Sequence, residues 1–457
     1  METNAILAKI QSVALRKEWS VRMDWGLLGP EVLGSQRRMR TLELGAVVRK
    51  FNDLAVPGMG GVWFGKQLLL ASLGVALAEQ ARTGRRQIRN IVVANAVEAL
   101  ACWLALRQNG WISDRRLFGR LKMQGKTDVS FRRVSQRGFY VTQPMRMRTG
   151  QPLLALGLVD ATSERFNAFK CTETGRAFIE VACQDYRPKN RSVLNNLLSW
   201  MQGDDDCIKT DHSRQALSPL ETLTKAAREI LRENIVREPN GIAGRRRNLL
   251  DWMEELRKRP TQQITWDKKP ALIDADHWRD ITVGGRFFVA RDAAIAVLDR
   301  VEAYLGNKTE QRLSLVSELP NVIKKAFSEL RECARLFLEE RYDSSPQGLA
   351  TVFCKECGQA DANAVLRNLV IRDGRVLQLF GDKIGPGPAF RGGQVQIAED
   401  DGGLADGGEA SGVSTGLQWP EGISVRIHNL FLMNADLCGD LDRWLNENDE
   451  SADSLNA

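Results

Sequence analysis

Histidine is scarce in this chain: His212, His277 and His428 are the only three in 457 residues, and each is isolated in sequence. None stands beside a Ser-x-Gly elbow or a cysteine-protease signature, so no nucleophilic triad is legible. Long apolar runs are missing too. No segment reaches about 18 consecutive uncharged apolar residues, the length a membrane-spanning helix needs, and the best candidate, 67–78, stops at Glu79. A cleavable leader does not fit residues 1–20, because Glu2, Lys9, Arg16, Lys17 and Glu18 interrupt what would be its apolar core. These absences predict a cytoplasmic protein with no membrane partner. The eight cysteines are scattered, and in a large chain without an export signal they read as reduced thiols rather than a disulfide framework.

What is present is ordinary in bulk and uneven in distribution. A hydrophobic content of 43% and a charged content of 26% are those of a globular protein, and the length calls for two or three domains. The net charge of +7 only hints at an anionic partner. Between Arg107 and Gly150, however, eleven basic residues stand against two acids, Asp114 and Asp128, whereas 436–453 carries seven acids and one arginine. Aromatics (Trp111, Phe118, Phe131, Phe139, Tyr140) are interleaved with those arginines.

Spacing predicts a mainly α chain with small β elements. Short helices are expected in 1–50, then long apolar helices over 66–82 and 88–108. A hairpin is expected over 130–142, turning at Arg137-Gly138, and a helix over 192–201. Ser218-Pro219-Leu220-Glu221 reads as a capped start for a helix over 219–237, and further helices are expected over 243–258, 290–305 and 320–341. Farther on, 366–380 reads as a hairpin turning at Asp373-Gly374. A strand is expected over 423–431 and a last short helix over 437–445. The implied layout is an N-terminal region 1–187, a linker 188–217, a helical domain 218–345 and a small β-containing C-terminal region 346–457. Within the last, the Gly-, Ser- and acid-rich stretch 398–417 should be disordered.

The stretch 148–181 runs from an apolar helical segment through a charged break to a short strand-like segment, a turn and a second apolar run. It resembles the second half of a winged-helix domain of the kind in MarR- and PadR-like regulators. The resemblance rests on Leu153, Leu156, Gly157, Leu158 and Val159, then on Thr174, Gly175, Arg176 and Phe178. It departs at Cys171-Thr172-Glu173, where the family has one apolar residue before the threonine. It covers about 90–185 and implies a recognition helix over 151–159, a two-stranded wing and double-stranded DNA as partner. Phosphate contact needs cations around the recognition helix and wing. The implied DNA-binding residues are therefore Arg115, Arg116, Arg120, Lys122, Lys126, Arg132, Arg133, Arg137, Arg146, Arg148 and Arg165. The expectation is a non-catalytic DNA-binding subunit of a bacterial multi-protein assembly, in a phage-defence or mobile-element setting. A protein–protein scaffold is the first alternative.

Three further motifs invite chemistry. Gly60-x4-Gly65-Lys66 has phosphate-loop spacing, which makes a nucleotide-binding enzyme the second alternative; Gln67 stands where the magnesium-binding Ser/Thr belongs, and Trp63 and Phe64 add bulk to the loop. Cys354-x-x-Cys357 supplies half of a tetrahedral zinc site, so zinc is the one cofactor under consideration. Asp204-Asp205-Asp206 with Asp211 and His212 is acidic, but consecutive aspartates cannot all face one ion. Arg245-Arg246-Arg247 with Arg257, Lys258 and Arg259 forms a second basic locus.

Overall fold

Two helices carry apolar residues around their whole circumference, which forces them inside. They are α2 and α3 of a computed structural model that describes residues 40–84, 87–237, 244–259, 263–392 and 417–446. The helices in chain order are α1 (Gly45–Ala55), α2 (Gly65–Thr83), α3 (Asn90–Gln108), α4 (Arg120–Met123), α5 (Phe131–Val134) and α6 (Gly150–Ala155). Strands β1 (Val159–Asp160) and β2 (Lys170–Cys171) follow, then α7 (Glu173–Cys183), α8 (Val193–Met201), α9 (Asp211–Leu217), α10 (Lys225–Val236) and α11 (Arg245–Lys258). The remainder is α12 (Ala275–Gly306), β3 (Leu313–Ser314), α13 (Asn321–Glu339), α14 (Leu349–Cys357), α15 (Ala362–Asp373), β4 (Leu377–Phe380), β5 (Lys383–Pro386), α16 (Val425–Cys438) and α17 (Leu441–Asn446). The protein is mainly helical, and the described residues form two small antiparallel sheets, β1-β2 and β3-β5-β4.

α2 and α3 cross closely because Gly74 meets Ala94: a Cβ at Gly74 would lie 2.4 Å from the Ala94 Cα. α3 is the one helix among the described residues long and apolar enough to cross a membrane, and it is mostly buried within the protein. Around this pair a first core gathers residues from 55–281 and again from 417–445. A second core is built from 42–51 and 283–384. The 32-residue α12 runs through both, placing Ile281 in the first and Val283, Phe287 and Val297 in the second. Phe51 of α1 stacks on Phe287 at 5.4 Å and sits edge-on to Phe337 at 6.5 Å.

The apolar stripe expected on 320–341 is buried in α13 through Ile323, Ala326, Phe327, Leu330, Ala334 and Phe337. Other expectations are corrected. Residues 188–217 are no linker: α8 and α9 bury Leu197, Trp200, Ala216 and Leu217 in the first core. The C-terminal region is not separate either, since α16 packs on α10 and α11. Leu366–Arg372 is helical because Val365, Leu366, Leu369 and Val370 share one face, with Asp361 capping the start and Gly374, at φ 59°, ending it. The hairpin lies beyond, in β4-β5, pairing Phe380 with Lys383. The expected strand over 423–431 is helix α16, capped by Ser424. α10 begins at Lys225 under a Thr224 cap rather than at Pro219, α12 starts earlier than 290, and 130–142 holds α5 and turns in place of a hairpin. Apart from Leu417, the stretch 398–417 lies outside the described residues, as do residues 1–39 of the N-terminal helices and the acidic end beyond 446.

Candidate nucleic-acid interface

The order α6, β1, β2, α7 is the helix, strand, strand, helix order expected of 148–181, but the helix ends at Ala155 instead of continuing to Val159, which lies in β1, and 166–168 is a 3-10 turn that leaves only Lys170–Cys171 as strand. The joints of this unit have physical causes. Thr172 Oγ1 accepts the Gly175 N–H at 3.0 Å, capping α7, and donates to the Gly157 carbonyl at 2.6 Å. A Cβ at Gly175 would sit 2.0 Å from the Leu158 carbonyl oxygen, so this helix start can meet β1 only through glycine. β1 and β2 pair Val159 with Cys171 and Asp160 with Lys170. Ahead of α6, Glu98 of α3 accepts the backbone N–H groups of Met145 (2.6 Å) and Arg146 (2.8 Å) and the Tyr140 hydroxyl (2.9 Å). Burial raises the Glu98 carboxyl, and those hydrogen bonds pull against the rise.

The arginines expected at the DNA face divide by depth. Arg148 is buried with its guanidinium 5.3 Å from the Phe118 ring centroid, and burial brings it down to about 10. Arg116 is buried and ion-paired with Asp114 (2.9 Å) and Asp442 (2.7 Å). Neither is a surface phosphate contact, a correction that follows from their packing against apolar and acidic partners. Arg120, Lys126 and Arg146 are half-buried; Arg146 donates to Asn95 at 2.7 Å and lies over Phe166. Arg115, Lys122, Arg132, Arg133, Arg137 and Arg165 are exposed, the last in the β1–β2 connection. Lys126 donates to the Phe139 carbonyl at 2.9 Å, and its ammonium is pushed down by partial burial and by the like charges of Arg133 and Lys122.

The other motifs resolve into the interior. Lys66 is buried, donating to the Ala216 carbonyl at 2.8 Å, and burial lowers it to about 8. Gly65 N–H is taken by Asp436 at 2.8 Å, and a Cβ at Gly65 would strike Leu223. A phosphate-loop role for Gly60, Gly65 and Lys66 does not fit this enclosure. Cys354 and Cys357 lie on α14, facing the second core rather than flanking a knuckle turn; burial raises both thiols, Cys357 to about 12. Among the described residues no three His, Cys, Asp or Glu side chains converge as a metal site. Asp204 pairs with Lys189 and Asp206 with Lys209. In the second basic locus, Arg245 binds Asp280 at 2.8 Å and Arg246 is buried against the Ala155 and Arg237 carbonyls.

A feature that sequence reasoning missed lies between α1 and α6, a groove of about 790 Å³. Arg49, Lys50 and Asp53 of α1, Arg246, Arg426 and Glu164 supply its charges. These residues are separated by up to several hundred positions, and the Arg49-Lys50 pair was the only local signal. Comparison of the chain with protein-family models, curated proteins and solved structures found no match.

Proposed function

We propose that this chain is a non-catalytic subunit that binds double-stranded DNA, with α6 and the β1–β2 hairpin as the recognition helix and wing of a winged-helix unit. The observation that carries the reading is the crowding of Lys122, Lys126 and Arg133 on α4, α5 and the turn between them, beside exposed Arg132 and Arg137. Like charges held together cost stability, and a polyanion bound across them relieves that repulsion. Arg165 adds a cation from the hairpin connection. Arg148 then packs on Phe118 ahead of α6 instead of touching phosphate. The remaining surface is left for the protein subunits of a larger assembly.

Anisotropy of a labelled duplex across a salt series tests this. Replacing Arg132, Arg133 and Arg137 by alanine should weaken binding to all sequences alike and flatten the log–log salt slope by about two to three. Thermal unfolding should be unchanged, because the three side chains are exposed. Wild-type affinity and slope in the triple variant would sink the proposal and leave a protein–protein scaffold in its place.

A further inference from the structure

We infer that the groove between α1 and α6 is a binding site for a phosphate ester carrying an apolar or planar body, a nucleotide in the simplest case. This goes beyond duplex binding and does not depend on it. Four cations and two carboxylates line the groove, and one carboxylate is already spoken for: Asp53 accepts from Arg426 at 2.9 Å, from Gln151 at 2.6 Å and from the Gly58 N–H at 3.1 Å. Arg49 and Lys50 line the same groove as Glu164. Among the described residues neither Arg49 nor Lys50 has an ion-pair partner. Arg246 and Arg426 are almost fully buried and held by the Ala155 carbonyl and by Asp53, so their positions are set before any ligand arrives. Pro57, Leu154 and Ala155 give the same groove an apolar wall. A volume of about 790 Å³ falls in the range of small-molecule sites. Positive charge at one wall and apolar surface at another match a ligand with an anionic head and a flat or apolar body.

The same chemistry has two sources, a free nucleotide or the terminal phosphate of a DNA strand. Isothermal titration of the full chain with ATP, and with a short single-stranded oligonucleotide bearing a 5′-phosphate or a 5′-hydroxyl, separates them. The double variant R49E/K50E changes only exposed side chains, and R49Q/K50Q serves as its uncharged counterpart. ATP binding that falls by at least about tenfold in R49E/K50E, and less in R49Q/K50Q, supports the free nucleotide. Binding of the 5′-phosphorylated strand alone, lost in the same variant, supports the strand end. Absence of binding by every probe at millimolar concentration overturns the inference, as does binding unchanged in R49E/K50E. Duplex affinity and ATP affinity measured side by side in the Arg132, Arg133 and Arg137 variant separate the two proposals, since duplex binding should weaken there while ATP binding keeps its wild-type value.

Discussion

Buried ionisable side chains in this protein are held by specific partners, and their protonation is tied to folding. Glu98 ties three donors together ahead of α6, and Lys66 closes on the carbonyl end of α9. His277 is the clearest titrating case. It is buried, its Nε2 lies 2.9 Å from the Ala55 carbonyl, and its Nδ1 has no hydrogen-bond partner, so the neutral ring donates through Nε2. Burial lowers its pKa to about 4. The unfolded chain therefore takes up a proton near 6.5, whereas the folded chain resists until about 4. Stability from this group is complete above about 6.5 and is lost as pH falls toward 4. His277→Gln keeps a donor for Ala55 but does not titrate. Thermal midpoints measured from pH 7 down to about 4.5 should decline less steeply in the variant, and parallel curves would show that His277 does not carry the pH response.

At the level of elements, the α6–β1–β2–α7 unit depends on one close approach. Glycine at 175 lets the first turn of α7 come up against the Leu158 carbonyl while Thr172 caps the same turn. Gly175→Ala should force the hairpin and helix apart and cost about 1–3 kcal/mol, the usual range for overpacking a filled site. Urea unfolding would measure it. A variant as stable as wild type would mean that the backbone yields there at no cost. Gly74 makes a similar approach between α2 and α3. In both places the residue that matters has no side chain, which is why an apolar-pattern reading passes over it.

On the scale of the whole molecule, two cores share α1 and α12, which argues for one cooperative unit. Every described tryptophan belongs to or packs against the first core. Phe337 is in the second, beside Phe51 and Phe287. Phe337→Ala should cost about 3–5 kcal/mol and lower the denaturation midpoint read by tryptophan fluorescence as much as the one read by circular dichroism. A fluorescence midpoint left at the wild-type value while the dichroism curve splits would mean the cores unfold separately.

The sequence by itself determined the helical class and the placement of α2, α3, α8, α11 and α13, because periodic apolar residues and local caps are short-range signals. It also marked the α6-to-α7 order through Gly157 and Gly175, whereas Thr172, which stood out in sequence only as a departure from the pattern, proves to be the α7 cap and reaches back to the Gly157 carbonyl. Where a local signal was ambiguous it misled: Asp373-Gly374 fits a hairpin turn as well as a helix end, and only packing of Val365 and Leu369 into the second core chose the helix. Tertiary structure alone decided which cations face water. Arg148 and Arg132 are alike in sequence terms, yet Phe118 and Glu98, brought from elsewhere in the chain, enclose one and leave the other outside. It likewise assembled Arg49, Asp53, Gln151, Arg246 and Arg426 around one groove. Burial and long-range pairing depend on which surfaces meet, and a charge pattern along one chain does not contain that information.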